Sequence, residues 1–160
     1  MKRTTADISS MMDSFEEACK AKGLRITNQR TEIFKALLKH PDHPTTEEIY
    51  NQVRKHLKTI SLDTVYRTIA TIEAYGLIKK VHHIDNTTRF DTNTSNHHHL
   101  VCTRCHRIED FTWPDFDRMT PPDSVSHWKQ TDVKHCVVEG LCSHCRKQRT
   151  GQKIHRKEAL

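Results

Sequence analysis

Two Cys-x-x-Cys turns, Cys102–Cys105 and Cys142–Cys145, stand 36 residues apart in a chain of 160. This feature limits the fold more than any other. Each turn aims two thiolates at one point, and two turns brought together give the tetrahedral sulfur set that Zn²⁺ prefers. The spacing exceeds that of a compact zinc ribbon, so a small β-rich subdomain is expected between the knuckles. A site of four thiolates is closed, with no ligand position left for a substrate. Its job is to hold a small core together, and structural zinc contributes on the order of 10–16 kcal/mol to folding. A pair of disulfides and a rubredoxin-like iron centre are the competing readings. Compartment disfavours the first: MKRTTADISS at the N-terminus has no apolar stretch of a secretory signal. No apolar run approaches the roughly 20 residues that cross a bilayer, so a cytoplasmic protein with reduced thiols is expected. Cys19 and Cys136 have no Cys-x-x-Cys partner and read as buried thiols.

With the thiolates filling one site, the histidines of SNHHHLVCTRC (95–105) are left over. On a strand, alternate side chains share a face, so His97 and His99 point one way and His98 the other. An H-x-H pair on a strand is a two-ligand platform for a divalent cation. Imidazoles alone suit zinc or iron, and added carboxylates shift the preference towards Fe²⁺ and Mn²⁺. Spacing does not say which carboxylates join, and a surface patch is the plain alternative.

The N-terminal half reads as a run of short helices. Residues 13–22 form the first, closed by Gly23. Thr27 starts a second, with Ile33, Phe34, Leu37 and Leu38 on one face and an end before Pro41. Thr45 and Glu48 fit a capping box that opens a third, carrying Ile49, Val53 and Leu57. After Lys58-Thr59-Ile60, Ser61 caps a fourth with Leu62, Val65, Ile69 and Ile72 inward and Gly76 as its stop. A hydrophobic content of 34% fits one domain or two small ones better than one large core.

The formal charge of +6 is unevenly placed. Residues 1–53 balance to zero, whereas 54–80 carry six basic side chains against Asp63 and Glu73. The tail 146–160 carries six against Glu158 alone and reads as a solvated end. Two helices joined by a short turn, the second flanked by positive charge, suggest helix-turn-helix geometry. The fourth helix leaves Asp63, Thr64, Tyr66, Arg67 and Thr71 outward; Arg67 can bond guanine, and Tyr66 offers a ring and a hydroxyl. Residues 77–84, the polar turn Asp85-Asn86 and Thr87–Asp91 then predict a β-hairpin, which makes the unit a winged helix. A small helical bundle with solubilising charge is the bland alternative.

The motifs GLRITNQR (23–30), HPTTEEIY (43–50), SLDTVYRTIATIEAYGLI (61–78), TRFD (88–91), HHHLVCTRCHRIEDF (97–111) and GLCSHC (140–145) together resemble the ferric uptake regulator family of metal-dependent bacterial repressors. The resemblance implies an α+β homodimer. Residues 1–91 would be a winged helix-turn-helix DNA-binding domain, and 92–160 an α/β dimerisation domain with zinc on Cys102, Cys105, Cys142 and Cys145. It implies a regulatory Fe²⁺ or Mn²⁺ on His43, Asp91, His97, His99 and Asp110. It also implies contacts to double-stranded operator DNA from Thr64, Tyr66 and Arg67, with Arg25, Gln29 and Arg30 beside them. A cation held by residues from both halves would fix the spacing of two recognition helices on a palindromic operator.

Iron-uptake regulators of the family usually have Glu at the positions of Asp91 and Asp110, and peroxide sensors Asp at both. The implied signal is therefore H₂O₂, with His43 and His97 as candidates for oxidation by the bound iron. A sensor of iron or zinc supply on the same fold is the alternative, and a zinc enzyme built on His97 and His99 a more distant one, since no HExxH-like base lies near; no enzymatic activity is expected. Departures from the pattern are Asn96, where relatives often carry an acid or histidine, His98, where Asp is common, His106, where Gly usually follows the second cysteine, and His135, one residue closer to Cys142 than usual. They leave His98, Asp117 and His135 as weak candidates for a third cation site, while His106 and Glu109 read as surface residues.

Overall fold

The computed structural model describes residues 4–40, 42–81, 87–125, 127–128 and 135–150, the last three without their side chains. The chain divides between Ser95 and Asn96 into two compact units.

In the first unit, four helices and a two-stranded ladder surround one apolar core. Helix α1 (Thr5–Ala21) begins well before the predicted residue 13. Its start is a second capping box: the Asp7 amide donates to Thr4 Oγ1, and the Thr4 amide donates to Asp7. Helix α2 (Asn28–Lys39) is capped by Thr27, and α3 (Thr46–Val53) by the predicted reciprocal bonds of Thr45 and Glu48. Helix α4 (Leu62–Ala74) opens on Ser61, whose Oγ accepts from the Thr64 amide at 3.1 Å. Helices α1 and α4 are followed by Gly23 and Gly76 at φ 67° and 68°, a left-handed conformation that other residues adopt only at a cost. The amides after them, Leu24 and Leu77, bond back to the carbonyls of Cys19 and Ile72.

Two details differ from expectation. Helix α3 stops at Val53, and the chain winds on through single turns over 54–59, so Leu57 packs against the core from outside the helix. Leu62 is 37% exposed, because as the first residue of α4 it lies beyond the edge of the buried stripe formed by Val65, Ile69 and Ile72. The core joins that stripe to Ile33, Phe34, Leu37 and Leu38 of α2, Ile49 and Val53 of α3, and Phe15 and Cys19 of α1. Phe15 and Phe34 stack with ring centroids 4.0 Å apart. Strands β1 (Lys79–Val81) and β2 (Arg89–Asp91) pair antiparallel after α4 and form the wing; its predicted Asp85-Asn86 turn lies outside the described residues.

The second unit is a three-stranded sheet ordered β4-β3-β5. Strand β3 (His98–Cys102) pairs antiparallel with β4 (Ile108–Phe111) and parallel with β5 (Val137–Gly140). Helix α5 (Pro114–Arg118) and a 3-10 turn (Asp123–Val125) precede β5, and α6 (Ser143–Thr150) follows it. The segment between the knuckles is thus mixed rather than purely β-rich. All four residues of the edge strand β5 are exposed, among them Val137 and Val138.

Candidate metal centres and nucleic-acid interface

The parallel pairing of β3 with β5 sets Cys102 beside Gly140, and so delivers the two Cys-x-x-Cys turns to the same end of the sheet. The four sulfurs lie within 4.8 Å of one another. Cys105 and Cys142 Sγ are 3.7 Å apart. Tetrahedral bonds of about 2.3 Å from sulfur to a metal give an edge of about 3.8 Å, so the set could hold a tetrahedral divalent cation. Backbone N–H groups already face the sulfurs: the Cys142 amide donates to Cys102 Sγ and the Cys145 amide to Cys142 Sγ, both at 3.4 Å. Amide donors stabilise a thiolate. The amides of Cys142, Cys105 and Arg104 pull the Cys102 thiol down to about 5. Burial, and then the neighbouring thiols, push Cys145 up to about 12. After Cys105 the backbone turns through His106 at φ 57°, the conformation for which glycine is suited, and the His106 amide bonds the Cys102 carbonyl at 2.9 Å.

At the other end of β3, with His97 just ahead of its first residue, the alternation of the histidines holds. His97 and His99 Nε2 lie 3.1 Å apart, and Asp110 Oδ1 is 3.8 and 3.7 Å from them. Antiparallel register supplies the acid, with His99 directly opposite Asp110. Nitrogens about 3 Å apart match two metal–nitrogen bonds of roughly 2.1 Å at a right angle. Both histidines are buried and the carboxylate is partly exposed, so the second unit carries a convergent three-donor set.

A two-donor set lies in the first unit. His43 Nε2 is 3.5 Å from Asp91 Oδ2, and both residues are buried. Their approach follows from how β2 is anchored. The Phe90 amide donates to the Pro44 carbonyl at 3.0 Å, and Arg89 Nη1 donates to the His43 carbonyl at 3.0 Å. The same guanidinium is 3.6 Å from Glu48, the acid of the α3 capping box. Arg89 thus fastens the loop carrying His43 to β2. It stands in the TRFD motif, but nothing local to residue 89 points to residue 43.

His98 faces the other side of β3 and is fully buried. Its Nδ1 accepts from the Cys136 amide at 3.2 Å, and its Nε2 is 3.3 Å from Asp117, which also accepts from Asn96 at 2.6 Å. Its ring packs against Phe111 and Phe116. Among the described residues, His98, Asp117 and His135 do not form a third cluster of metal donors. Cys19 is buried as expected, whereas Cys136 is half-buried. His106 is half-buried and Glu109 exposed, 3.7 Å from Arg107.

On α4, Tyr66 is 47% exposed, and Arg67 extends into solvent 3.7 Å from Asp63. Thr64 is half-buried, its hydroxyl 2.8 Å from that of Ser61. Arg25 and Gln29 are exposed; Arg30 is half-buried, bonded through Nη1 to the Arg25 carbonyl. The Tyr66 hydroxyl donates to Glu47 at the start of α3, a contact between residues 19 apart that no local pattern announces. It holds the Glu47 carboxyl below its ordinary range and the Tyr66 phenol above its own.

The chain thus carries a helical unit with a two-stranded ladder and a sheet unit with a thiol cluster. The profile of the ferric uptake regulator family matches residues 21–140. The peroxide-responsive repressor PerR of Staphylococcus epidermidis is 32% identical over 149 residues, covering 90% of this chain and 98% of that one. A zinc-bound manganese uptake regulator of known structure is 28% identical and superposes with a TM-score of 0.64, covering 80% of this chain and 98% of its own. The ferric uptake regulator of Helicobacter pylori superposes with a TM-score of 0.69 at 24% identity, covering 91% and 97%. The chain belongs to the ferric uptake regulator family.

Proposed function

We propose that the protein is a cytoplasmic, homodimeric, metal-dependent repressor that binds palindromic operator DNA and is released from it by H₂O₂. The observation that carries the peroxide reading is the pair of short acids. Asp91 and Asp110, not glutamates, flank the histidines in a chain that is 32% identical to peroxide-responsive repressors.

In this reading Zn²⁺ takes Cys102, Cys105, Cys142 and Cys145 and closes the sheet unit. Fe²⁺ or Mn²⁺ takes His43 and Asp91 from the first unit and His97, His99 and Asp110 from the second. Two donors in one unit and three in the other together make five, close to the six that an octahedral Fe²⁺ or Mn²⁺ takes, which supports sharing. Binding energy that favours one arrangement of the units shifts their population, and a change from 1:99 to 99:1 takes about 5.5 kcal/mol of differential affinity. The exposed edge of β5, with Val137 and Val138, supports association with a second copy through that strand.

Bound iron supplies the one-electron chemistry that makes H₂O₂ reactive. The net change is insertion of one peroxide oxygen into an imidazole C–H of His43 or His97; the carbon is oxidised by two electrons and the second oxygen leaves as water. The oxidised ring loses its place as a ligand, and the DNA is released. Mass spectrometry of the iron-loaded chain after H₂O₂ tests this, with a gain of one oxygen expected on a peptide containing His43 or His97. Oxidation confined to cysteines overturns it in favour of a thiol switch.

The alternative, a sensor of metal supply, draws support from the 28% identity to a manganese uptake regulator. Asp110→Glu separates the two: metal-dependent gel shifts should persist while peroxide sensitivity falls at least tenfold. Unchanged sensitivity overturns the peroxide reading. A chain that gives no metal-dependent shift of any promoter fragment overturns the regulator reading altogether.

A further inference from the structure

Glu47 stands at the second position of α3, immediately after the capping residue Thr45 and Thr46. A carboxylate there is favoured by the unpaired amides and positive end of the helix, and its own backbone N–H helps hold it. Its Oε1 accepts the hydroxyl proton of Tyr66, midway through the first half of α4. Both residues line a groove of ≈ 440 Å³. Lys80, Thr87 and Thr88 of the wing line it too, with the buried Ile69 and Phe90.

An acid in this place is costly for a DNA-binding surface. The recognition helix and wing are the parts that approach the phosphates, and an anion between them repels the backbone. Glu47 nevertheless sits there, fixed by a helix terminus and bonded to the one aromatic residue exposed on α4. A phenol has a single proton to donate. With that proton committed to Glu47, Tyr66 can offer DNA only its ring and an oxygen lone pair. Such a group suits the thymine methyl, or the amino groups of adenine and cytosine, and cannot donate to guanine O6 or thymine O4.

We propose that Glu47 is a positioning residue for sequence readout: it fixes the Tyr66 ring at the groove between recognition helix and wing and masks its donor, restricting the bases Tyr66 accepts. The proposal rests on the DNA-binding reading above and deepens it. Glu47 touches no base; its effect passes through Tyr66.

The test uses the full-length, Mn²⁺-loaded chain. A library of duplexes randomised at the centre is enriched on the wild-type protein. Fluorescence anisotropy then compares the enriched duplex with a scrambled duplex of the same length. Glu47→Ala should lower the ratio of the two affinities about tenfold, the order of one base contact. Glu47→Gln, whose amide oxygen still accepts from a phenol, should recover most of that loss. Tyr66→Phe should lower the ratio as well, and the double variant Glu47→Ala/Tyr66→Phe should be no less selective than the worse single change. Repeating the enrichment on Glu47→Ala should yield sequences with guanine or thymine O4 acceptors admitted where the wild type excludes them. The proposal is overturned if Glu47→Ala tightens binding to both duplexes by the same factor, the result of deleting an anion that does nothing else. A wild-type chain that enriches no sequence overturns the DNA-binding reading itself, and this proposal with it. A phenol that titrates above the ordinary tyrosine range in wild type and Glu47→Gln, but returns to it in Glu47→Ala, supports the hydrogen bond independently.

Discussion

The two units of this chain bury different chemistry. Before Ser95 isoleucines, leucines and phenylalanines from four capped helices form one continuous apolar cluster, and the buried pair His43 and Asp91 stands outside it. After it, the buried described residues are Val101 and Ile108, the thiols Cys102 and Cys145, and His97, His98 and His99. At the same time Leu100, Val137, Val138 and Leu141 are exposed. A unit with few buried aliphatics and several buried ligand groups cannot draw its stability from apolar burial alone. The first unit has the interior to stand on packing, whereas the buried described groups of the second are mostly thiols and histidines.

The sharpest way to break this contrast is to remove one thiol. Cys142→Ala in the full chain should abolish high-affinity zinc and unfold the sheet unit, since a structural zinc site contributes on the order of 10 kcal/mol. Hydrogen exchange should show β3–β5 unprotected while α2–α4 keep their protection. Protected β-strand amides in the zinc-free variant would mean that the sheet stands on packing after all. In the first unit the matching experiment is Ile49→Ala, which empties a fully buried site and should cost about 2–5 kcal/mol in denaturant unfolding of the helices. It should leave zinc stoichiometry unchanged; loss of zinc as well would show that the two stabilities are not separate. The smallest effect is a gain. His106→Gly relieves a left-handed backbone that costs a non-glycine residue about 1–2 kcal/mol, offset by the entropy glycine adds to the unfolded chain. Stabilisation of the sheet unit by about 0.5–1 kcal/mol is expected from thermal unfolding followed at the sheet amides.

Legibility followed the range of each interaction. The Thr45–Glu48 box, the stops at Gly23 and Gly76 and the opposed faces of His97 and His98 depend on residues within four positions of one another, and each was readable. The first helix shows the limit of that reading: its start rests on an equally local box at Thr4 and Asp7, which lies ahead of the apolar periodicity that marks the rest. Leu62 fitted the buried stripe by spacing and lies outside it, because spacing fixes a face of a helix and not how far along it the neighbours reach. Family resemblance, not spacing, supplied His43, Asp91 and Asp110 as ligands. The antiparallel register that sets Asp110 opposite His99, and the Arg89 bond that holds the His43 loop against β2, join residues too far apart in the chain for any local pattern.

By itself the sequence determined the elements and the donor chemistry: capped amphipathic helices, a basic fourth helix followed by a hairpin, four thiols in two turns, and histidines alternating on a strand. These follow from backbone sterics and from what each side chain can ligate, which neighbours along the chain are enough to fix. The tertiary structure decided which distant groups meet. The parallel strand pairing closes the thiol tetrahedron, and the packing of α3 against α4 brings Glu47 to Tyr66, because such contacts depend on how whole elements stack.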